Sequence, residues 1–220
     1  MTKLYKFRCF GKDNSTTYRR SRDIFVNSHL YMPNYIELND PMEAIYNGNN
    51  ISRNQIKNIR SGKFNIRLCS LAKTYTDILM WSHYADSNKG FCIELEVDTD
   101  SNDSKAKITY DKDLWTPAIY YDDIIKDIMS HKLYPWQNEQ EVRILRNITG
   151  FNAEPFLNIK ITKVYLGCAL SDEKVTKYSR RIQSWLKSIN HNAIQIQQIQ
   201  RTDLTYWDGT KEIKIINSQY

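Results

Sequence analysis

The chain has 220 residues, of which 41% are hydrophobic and 25% are charged, and its net charge is +6. This composition is that of a soluble globular protein with a sizeable core, and its few Gly and Pro residues argue against a long flexible linker. No apolar run approaches the roughly 18 residues that a membrane-spanning helix requires, and the N-terminus lacks the apolar segment of a signal peptide. Four widely spaced cysteines suit reduced thiols, so we expect a cytoplasmic protein without a membrane partner.

The positive charge permits binding to nucleic acid or to a phosphorylated small molecule, but it requires neither. Basic residues are spread along the sequence except for Arg19, Arg20 and Arg22, a group that is more often a solvated surface than a binding site. The 15 Tyr and 5 Trp residues are notable because aromatic rings stack on bases, although most such rings pack in cores.

The first half of the chain alternates between strand and helix patterns. The strand at 4–10 directs Arg8 to its polar face, and the strand at 64–71 carries Ser70 near its end. Thr76 or Asp77 is placed to cap a helix that carries Trp81 and Tyr84. The predicted elements are, in order, a strand at 4–10, a polar loop at 11–21, a helix end or short strand at 24–32, a helix at 52–59, a strand at 64–71, the capped helix, a turn at 88–90 and a strand at 91–97.

The second half shows the same mixture. Its clearest helix follows Ser171 and has an apolar stripe at helical spacing that ends at Ile189. Here we predict a loop at 98–104, a short strand at 106–110, a helix at 120–133 and strands at 137–145, 159–166, 193–199 and 212–216. Because regular βαβ repetition is weak, we expect an α+β fold with a mixed or mostly antiparallel sheet and flanking helices, in a single domain over residues 1–220.

Several short blocks, in the same order along the chain, resemble a large bacterial family that is known as a domain of unknown function. Proteins of that family resemble the products of accessory genes in mobile elements and phage-defence islands. The blocks are LYKFR at 4–8, NDPME at 39–43, CSL at 69–71, MWSHYA at 80–85, KGFCIE at 89–94 and WQNEQEVR at 136–143.

A second resemblance is to ADP-ribosyltransferases of the Arg–Ser–Glu type. These enzymes have an Arg on an early strand, a Ser on a middle strand, and a Glu preceded two residues earlier by Gln or Glu. Arg8, Ser70 and the pair Glu139 and Glu141 occur in that order, although the usual Ser-Thr-Ser motif is Cys-Ser-Leu in this sequence. The resemblance implies an ADP-ribosyltransferase-like fold and NAD as a substrate. It also implies that Arg8 binds a phosphate, Glu141 holds the ribose 2′-hydroxyl and Glu139 positions the acceptor.

Glu139, Glu141 and Arg143 are expected on one face of the strand at 137–145, with Val142 and Ile144 on the other. Two carboxylates about 7 Å apart can stabilise an oxocarbenium ion and orient a nucleophile. The structural alternative is a ladder of Glu and Arg on a solvated sheet face, and the sequence favours the two interpretations about equally.

Other residues are weaker candidates. His83 is a candidate general base, although a structural hydrogen bond is the commoner role of such a residue. Trp81 and Tyr84 are candidates for stacking on nicotinamide or a base, with core packing as the alternative, and the turn at Lys89 and Gly90 is a weak candidate for phosphate binding. No metal-ligand spacing, P-loop or Rossmann glycine pattern stands out.

Three hypotheses of function follow. The first is an NAD-consuming ADP-ribosyltransferase-like effector, of the toxin or phage-defence type, that modifies nucleic acid or protein. The second is a nuclease, with or without a metal, that uses an acidic cluster, and the third is a non-catalytic module that senses a nucleotide or a phage component. The nuclease hypothesis groups these side chains: Asp40, Glu43, Lys89, Glu94, Glu139 and Glu141.

Overall fold

The structure is a computed structural model that describes residues 3–99, 103–149, 155–187 and 194–214. The chain divides into two compact units. The first unit comprises Met1–Leu30, Ala72–Asp98 and Asn158–Tyr220, and the second unit comprises Tyr31–Leu71 and Thr99–Leu157. The prediction that residues 1–220 form one domain stays a prediction, since a division by compactness does not test whether either part folds alone.

Strands and helices alternate irregularly along the chain. The strands are β1 (Leu4–Arg8), β2 (His29–Tyr31), β3 (Ile66–Leu71), β4 (Phe91–Val97), β5 (Asp103–Lys107), β6 (Thr109–Asp111), β7 (His131–Leu133), β8 (Val142–Asn147), β9 (Phe156–Leu166), β10 (Gln195–Gln198), β11 (Thr205–Trp207) and β12 (Glu212–Lys214). The helices are α1 (Thr16–Asn27), α2 (Arg53–Phe64), α3 (Ile78–Tyr84), α4 (Ile124–Ile128) and α5 (Asp172–Lys187), with 3₁₀ helices at Tyr35–Glu37, Tyr134–Glu139 and Arg201–Asp203.

The first unit is built on a sheet in the order β1-β4-β9-β10, with β2 also paired to β9. The pairs β1–β4 and β4–β9 are antiparallel and the pair β9–β10 is parallel. Strand β4 is buried on both faces, and on one of them Phe91 packs with Phe25 of helix α1. On the other face, alternate side chains of β1 and β4 pack with helix α3. The resulting core includes Tyr5, Phe7, Trp81, Cys92 and Tyr165.

The second unit contains the antiparallel sheet β3-β8-β5 and the short parallel pair β6–β7. Helix α2 begins with a capping box, in which the Ser52 hydroxyl accepts from the Gln55 N–H and the Gln55 side chain accepts from the Ser52 N–H. Apolar residues of α2 and α4 pack with those of β3 and β8 around Ile59, Leu68 and Ile124. The two units together confirm the predicted α+β class with mixed, mostly antiparallel pairing.

Several predicted elements differ from the structure, among them the short strand predicted at 106–110, which is parts of two strands, β5 and β6. The polar segment predicted as a loop at 11–21 contains the start of α1, because the Ser15 hydroxyl accepts from the Tyr18 N–H and caps a helix whose first turns are largely exposed. The helix predicted at 120–133 is limited to α4, since residues 131–133 pair with β6 instead. The strand predicted at 137–145 begins only at Val142, because a 3₁₀ helix with Pro135 in its first turn precedes the left-handed Gln140.

Polar caps begin two of the correctly predicted helices. Asp77 caps α3, since its carboxylate accepts from the Met80 N–H at 2.9 Å. Ser171 precedes α5, and its hydroxyl accepts from the Lys174 N–H at 3.4 Å. The sequence predicts Thr76 or Asp77 as the cap of α3 and Ser171 as the cap of α5, so these helix starts are confirmed.

Two predicted strands near the C-terminus are present in shorter form. They are β10 and β12, for which strands were predicted at 193–199 and 212–216. Four residues of the predicted elements lie outside the described residues. They are Ile189 of the apolar stripe, Ala193 of the strand predicted at 193–199, and Ile215 and Ile216 of the strand predicted at 212–216.

Candidate functional site

The centre of the candidate site is Arg143, on β8 in the second unit, whose side chain is fully buried. Its guanidinium donates to both oxygens of Glu43, at 2.6 and 2.8 Å, and to both oxygens of Glu141, at 2.6 and 3.1 Å. A further bond to the Met129 carbonyl oxygen, at 2.7 Å, uses the fifth N–H group. Arg143 is therefore a saturated donor that holds two buried carboxylates.

Lys132, on β7, is the second cation of the site. Its ammonium donates to Glu139 at 2.6 Å and to Glu141 at 3.5 Å, and it lies 4.7 Å from the centre of the Trp136 ring. Burial alone would lower the pKa of Lys132, but the charges of Glu141 and Glu139 raise it. Lys132 therefore stays protonated and links the two carboxylates that the sequence places two residues apart.

Glu141 is held as a carboxylate by its neighbours. Burial alone would raise the pKa of Glu141, but the charge and hydrogen bonds of Arg143, the charge of Lys132 and the Ser70 hydroxyl lower it to about 2. These contacts occupy the roughly four acceptor positions of a carboxylate. The Glu141 backbone N–H in turn donates to the Tyr110 hydroxyl at 2.8 Å. Glu141 can therefore act through its charge, but not as a proton donor near neutral pH.

The connected side chains carry a surplus of negative charge. Three carboxylates (Glu43, Glu139 and Glu141) contact two cations (Lys132 and Arg143), and all five side chains are at least nine-tenths buried. We call these five residues the ion cluster. A buried net charge of −1 favours a positively charged group in its vicinity over a negatively charged one.

Ser70, Glu139 and Glu141, which the sequence analysis selected together, do lie together in the second unit. Ser70 is opposite Arg143 in the β3–β8 pair and bonds to Glu141, while Glu139 and Glu141 share Lys132. The expected position of Glu139 on a strand was wrong, because this residue ends a 3₁₀ helix. The alternative of a solvated Glu and Arg ladder was also wrong, because Arg143 and both carboxylates are buried.

Asp40 and Glu43 of the nuclease hypothesis also lie in the second unit, whereas the candidates for phosphate binding, stacking and general base catalysis lie in the first. Arg8 ends β1 opposite Phe91, and a Cβ atom on Gly90 would overlap the Arg8 carbonyl oxygen, so the Lys89 and Gly90 turn lies beside Arg8. His83 is exposed on α3, and its ring lies 6.4 Å from that of the half-buried Tyr84. It stays a prediction that these first-unit residues share one cleft with Ser70, Glu139 and Glu141.

Trp81 has the surroundings of a core residue. Its ring is fully buried and meets Phe7 edge-on at 5.2 Å, and its indole N–H donates to the Tyr75 carbonyl oxygen at 2.6 Å. These contacts fix α3 against β1 in the first unit. The predicted stacking of Trp81 on a ligand stays a prediction.

Glu94, which the nuclease hypothesis included, is bound within the first unit. Its carboxylate accepts from Tyr5, Thr162, Tyr165 and Lys3. Burial alone would raise the pKa of Glu94, but Lys3 and Thr162 lower it. Among the described residues, no group of three or more His, Cys, Asp or Glu side chains is arranged to hold a metal ion.

Sequence reasoning missed Lys132 and Tyr110 altogether. Lys132 was assigned to a helix, and only its pairing in β7 with Tyr110 of β6 directs both side chains toward Glu141. Glu43 was considered, but its bidentate bond to a residue 100 positions later has no sequence signal. A strand signal at 131–133 would have been needed to find Lys132.

Comparison with known proteins adds one partial match. A family model described as "Protein of unknown function (DUF2971)" matches residues 80–144, which include the MWSHYA and KGFCIE blocks. The predicted similarity to a domain-of-unknown-function family is thus confirmed over that part of the chain. No curated protein and no solved structure matches. In the described part of the chain, no helix has the length and apolar character needed to cross a membrane.

Proposed function

We propose that the protein is an ADP-ribosyltransferase-like enzyme that consumes NAD. The observation that carries the proposal is the meeting of Ser70, Glu139 and Glu141 in one cluster of the second unit. These are the Ser and Glu-x-Glu parts of the Arg–Ser–Glu pattern. The remaining part, Arg8, lies in the first unit, and its binding of a phosphate of the dinucleotide stays a prediction.

The charge of the ion cluster suits this reaction. Breaking the bond between nicotinamide and ribose leaves positive charge on the ribose, and the electron pair departs with the nicotinamide. A nearby surplus of negative charge, with Glu141 ionised, would stabilise that charge as it develops. The acceptor atom would then bond to C1′ of the ribose and give up its proton to Glu139.

The lengths of the contacts to Glu141 favour one of its partners as the one that a substrate would replace. The Lys132 contact to Glu141, at 3.5 Å, is the longest of the ion cluster, whereas the Arg143 contacts are shorter. A ribose 2′-hydroxyl would therefore take the place of Lys132 at Glu141. The roles of Tyr84 in stacking on nicotinamide and of His83 as a base stay predictions, since both residues lie in the first unit.

The test is nicotinamide release from NAD by the purified protein, with nucleic acid or protein as acceptor. Glu139→Gln should lower the rate by about 100-fold or more, since a positioned base contributes about that much. The control is Glu96→Gln, which removes a carboxylate from an exposed ion pair with Lys160 and should leave the rate unchanged. Thermal unfolding checks that both variants fold. Absence of release with every acceptor, or full activity in Glu139→Gln, would refute the proposal.

A second candidate is a sensor that binds a nucleotide without turnover. It is favoured by the saturation of Glu141, whose acceptor positions are filled and whose side chain is only 3% exposed. Calorimetric titration with NAD distinguishes the two candidates, because the sensor would bind NAD without releasing nicotinamide. RNA or DNA degradation that stops with a chelator would instead favour a nuclease.

The setting that we propose is a cytoplasmic effector of the toxin or phage-defence type. The family resemblance in the sequence is the support for this part. Induced expression in bacteria should slow growth, and Glu139→Gln should restore it if the toxicity depends on the transfer reaction.

A further inference from the structure

The positive charge of the protein is concentrated in the first unit. This unit contains 19 of the 31 Lys and Arg residues and 12 of the 25 Asp and Glu residues, which gives a net charge of +7. The second unit contains the other 12 basic and 13 acidic residues, which gives −1. The net +6 of the chain is therefore a property of one unit.

Two helices of the first unit carry much of this charge. Helices α1 and α5 pack together through Trp185, whose ring lies 5.6 Å from Tyr18 and 5.7 Å from Phe25. Beside these rings, Arg181 lies 5.3 Å from the centre of Tyr18 and pairs with Asp13 at 2.8 Å. The two helices are thus packed against each other.

Several exposed basic residues of the two helices lie three residues apart. Arg19 and Arg22 are three residues apart, and Lys174, Lys177 and Arg180 follow one another at the same spacing. We call the following exposed residues the basic helix face: Arg19, Arg20, Arg22, Lys174, Lys177 and Arg180.

The nearby acidic groups neutralise this face only in part. Asp23 is engaged with Asn27 and His29, and Asp13 is engaged with Arg181. Asp172 and Glu173 lie in the first turn of α5, where they interact favourably with the helix dipole. The six basic side chains therefore outnumber the acidic groups around them and leave a net positive charge.

We propose that the basic helix face binds nucleic acid through its phosphates. Six exposed cations on two packed helices concentrate positive charge that attracts phosphates, and contacts of this kind are largely independent of sequence. The inference goes beyond the proposed function, because binding requires neither NAD nor the ion cluster.

An anionic membrane surface fits this face less well. A helix that lies in a bilayer interface inserts an apolar face into it. The apolar residues of α1 and α5, such as Phe25, Ile182 and Trp185, are buried within the first unit. Neither helix, both of which are described in full, has a large exposed apolar side chain.

The test is fluorescence anisotropy with a labelled single-stranded RNA and a duplex DNA of equal length. The triple variant Arg19→Gln, Arg20→Gln and Arg22→Gln should weaken binding about tenfold or more near 0.1 M salt, because it removes about three phosphate contacts. The slope of log K against log salt should decrease by about two to three, since each phosphate contact contributes about 0.7 to 0.9. The two probes show whether single or double strands are preferred.

Helix α2 of the second unit supplies a matched control. It has 12 residues, as α1 does, and exposed basic residues of its own, so Arg53→Gln, Lys57→Gln and Arg60→Gln removes the same charge. This control should leave the affinity unchanged. A second variant, Lys174→Gln, Lys177→Gln and Arg180→Gln, should repeat the loss on α5 if the α1 variant does not fold.

Three results would overturn the inference. The first is that the wild type binds neither probe at low salt, and the second is that the α2 control loses as much affinity as the α1 variant. The third is that the α1 variant loses binding to vesicles of anionic phospholipid but binds nucleic acid as the wild type does.

Discussion

Replacing Arg143 with Met tests whether the ion cluster holds the second unit together. The variant keeps an elongated side chain but removes five hydrogen bonds. Glu43, which is 5% exposed, loses the guanidinium that binds both of its oxygens, and Glu141 keeps Lys132 and Ser70. Two buried carboxylates are then left without their strongest partner.

The expected loss of unfolding free energy is about 3 to 5 kcal/mol, as for other buried ion pairs from which one partner is removed. Because whole domains are stable by only about 5 to 15 kcal/mol, the variant should be near the limit of folding. A change of this size corresponds to a decrease in Tm of about 6 to 20 °C for a chain of this length.

The loss should depend on pH. In the wild type the pKa of Glu141 is about 2 in the folded state, below its unfolded value of about 4.3, so its stabilisation is present above about pH 4.3 and is lost as the pH falls toward 2. In the variant, burial dominates and raises that pKa, so protonation relieves the destabilisation as the pH falls. The difference between wild type and variant should therefore shrink from about pH 7 to about pH 4.

Urea unfolding followed by tryptophan fluorescence at both pH values measures this difference. The control is Lys160→Met, which breaks an ion pair whose Lys side chain is 71% exposed and should cost no more than about 1 kcal/mol. A loss at neutral pH below about 1 kcal/mol in Arg143→Met, or a loss equal at both pH values, would refute the reasoning.

Two further predictions concern the first unit. Gly167→Ala should lower the unfolding free energy by about 1 to 3 kcal/mol, because the new Cβ would overlap the Asn88 carbonyl oxygen, whereas Gly48→Ala, with its nearest atom at 3.5 Å, should change little in the same urea assay. Thr162→Val removes a donor at 2.8 Å from Glu94 and should raise the pKa of Glu94 in an NMR titration. An unchanged pKa, or equal losses in the two Gly variants, would contradict the respective prediction.

Local sequence patterns predicted those helices and strands whose conformation depends mainly on residues close together in the chain. The strand β4 and the helix α5 lie where alternation and helical spacing predicted them, although β4 is buried on both faces, and the cap at Asp77 is one of the two that the sequence offered. Elements whose form depends on distant partners were predicted less well. His131–Leu133 pairs with Thr109–Asp111, and this pairing overrides the helical pattern of residues 120–133.

The candidate site likewise has features that the sequence predicted and features that depend on distant parts of the chain. The sequence selected Ser70, Glu139 and Glu141 from a pattern of residue types and their order, and the three do meet. It did not show that Arg143 uses every N–H group, because hydrogen bonds to Glu43 and Met129 depend on how distant segments fold together.

The amino-acid order alone therefore determined the α+β class, most strand and helix positions and the residue types of a candidate site, since periodicity and capping act over a few neighbouring positions. Only the tertiary structure decided that these carboxylates are buried and bound by Arg143 and Lys132, and that the two helices with exposed basic residues, α1 and α5, pack against each other. Burial and charge pairing are set by contacts between segments far apart in the chain, so no local pattern encodes them.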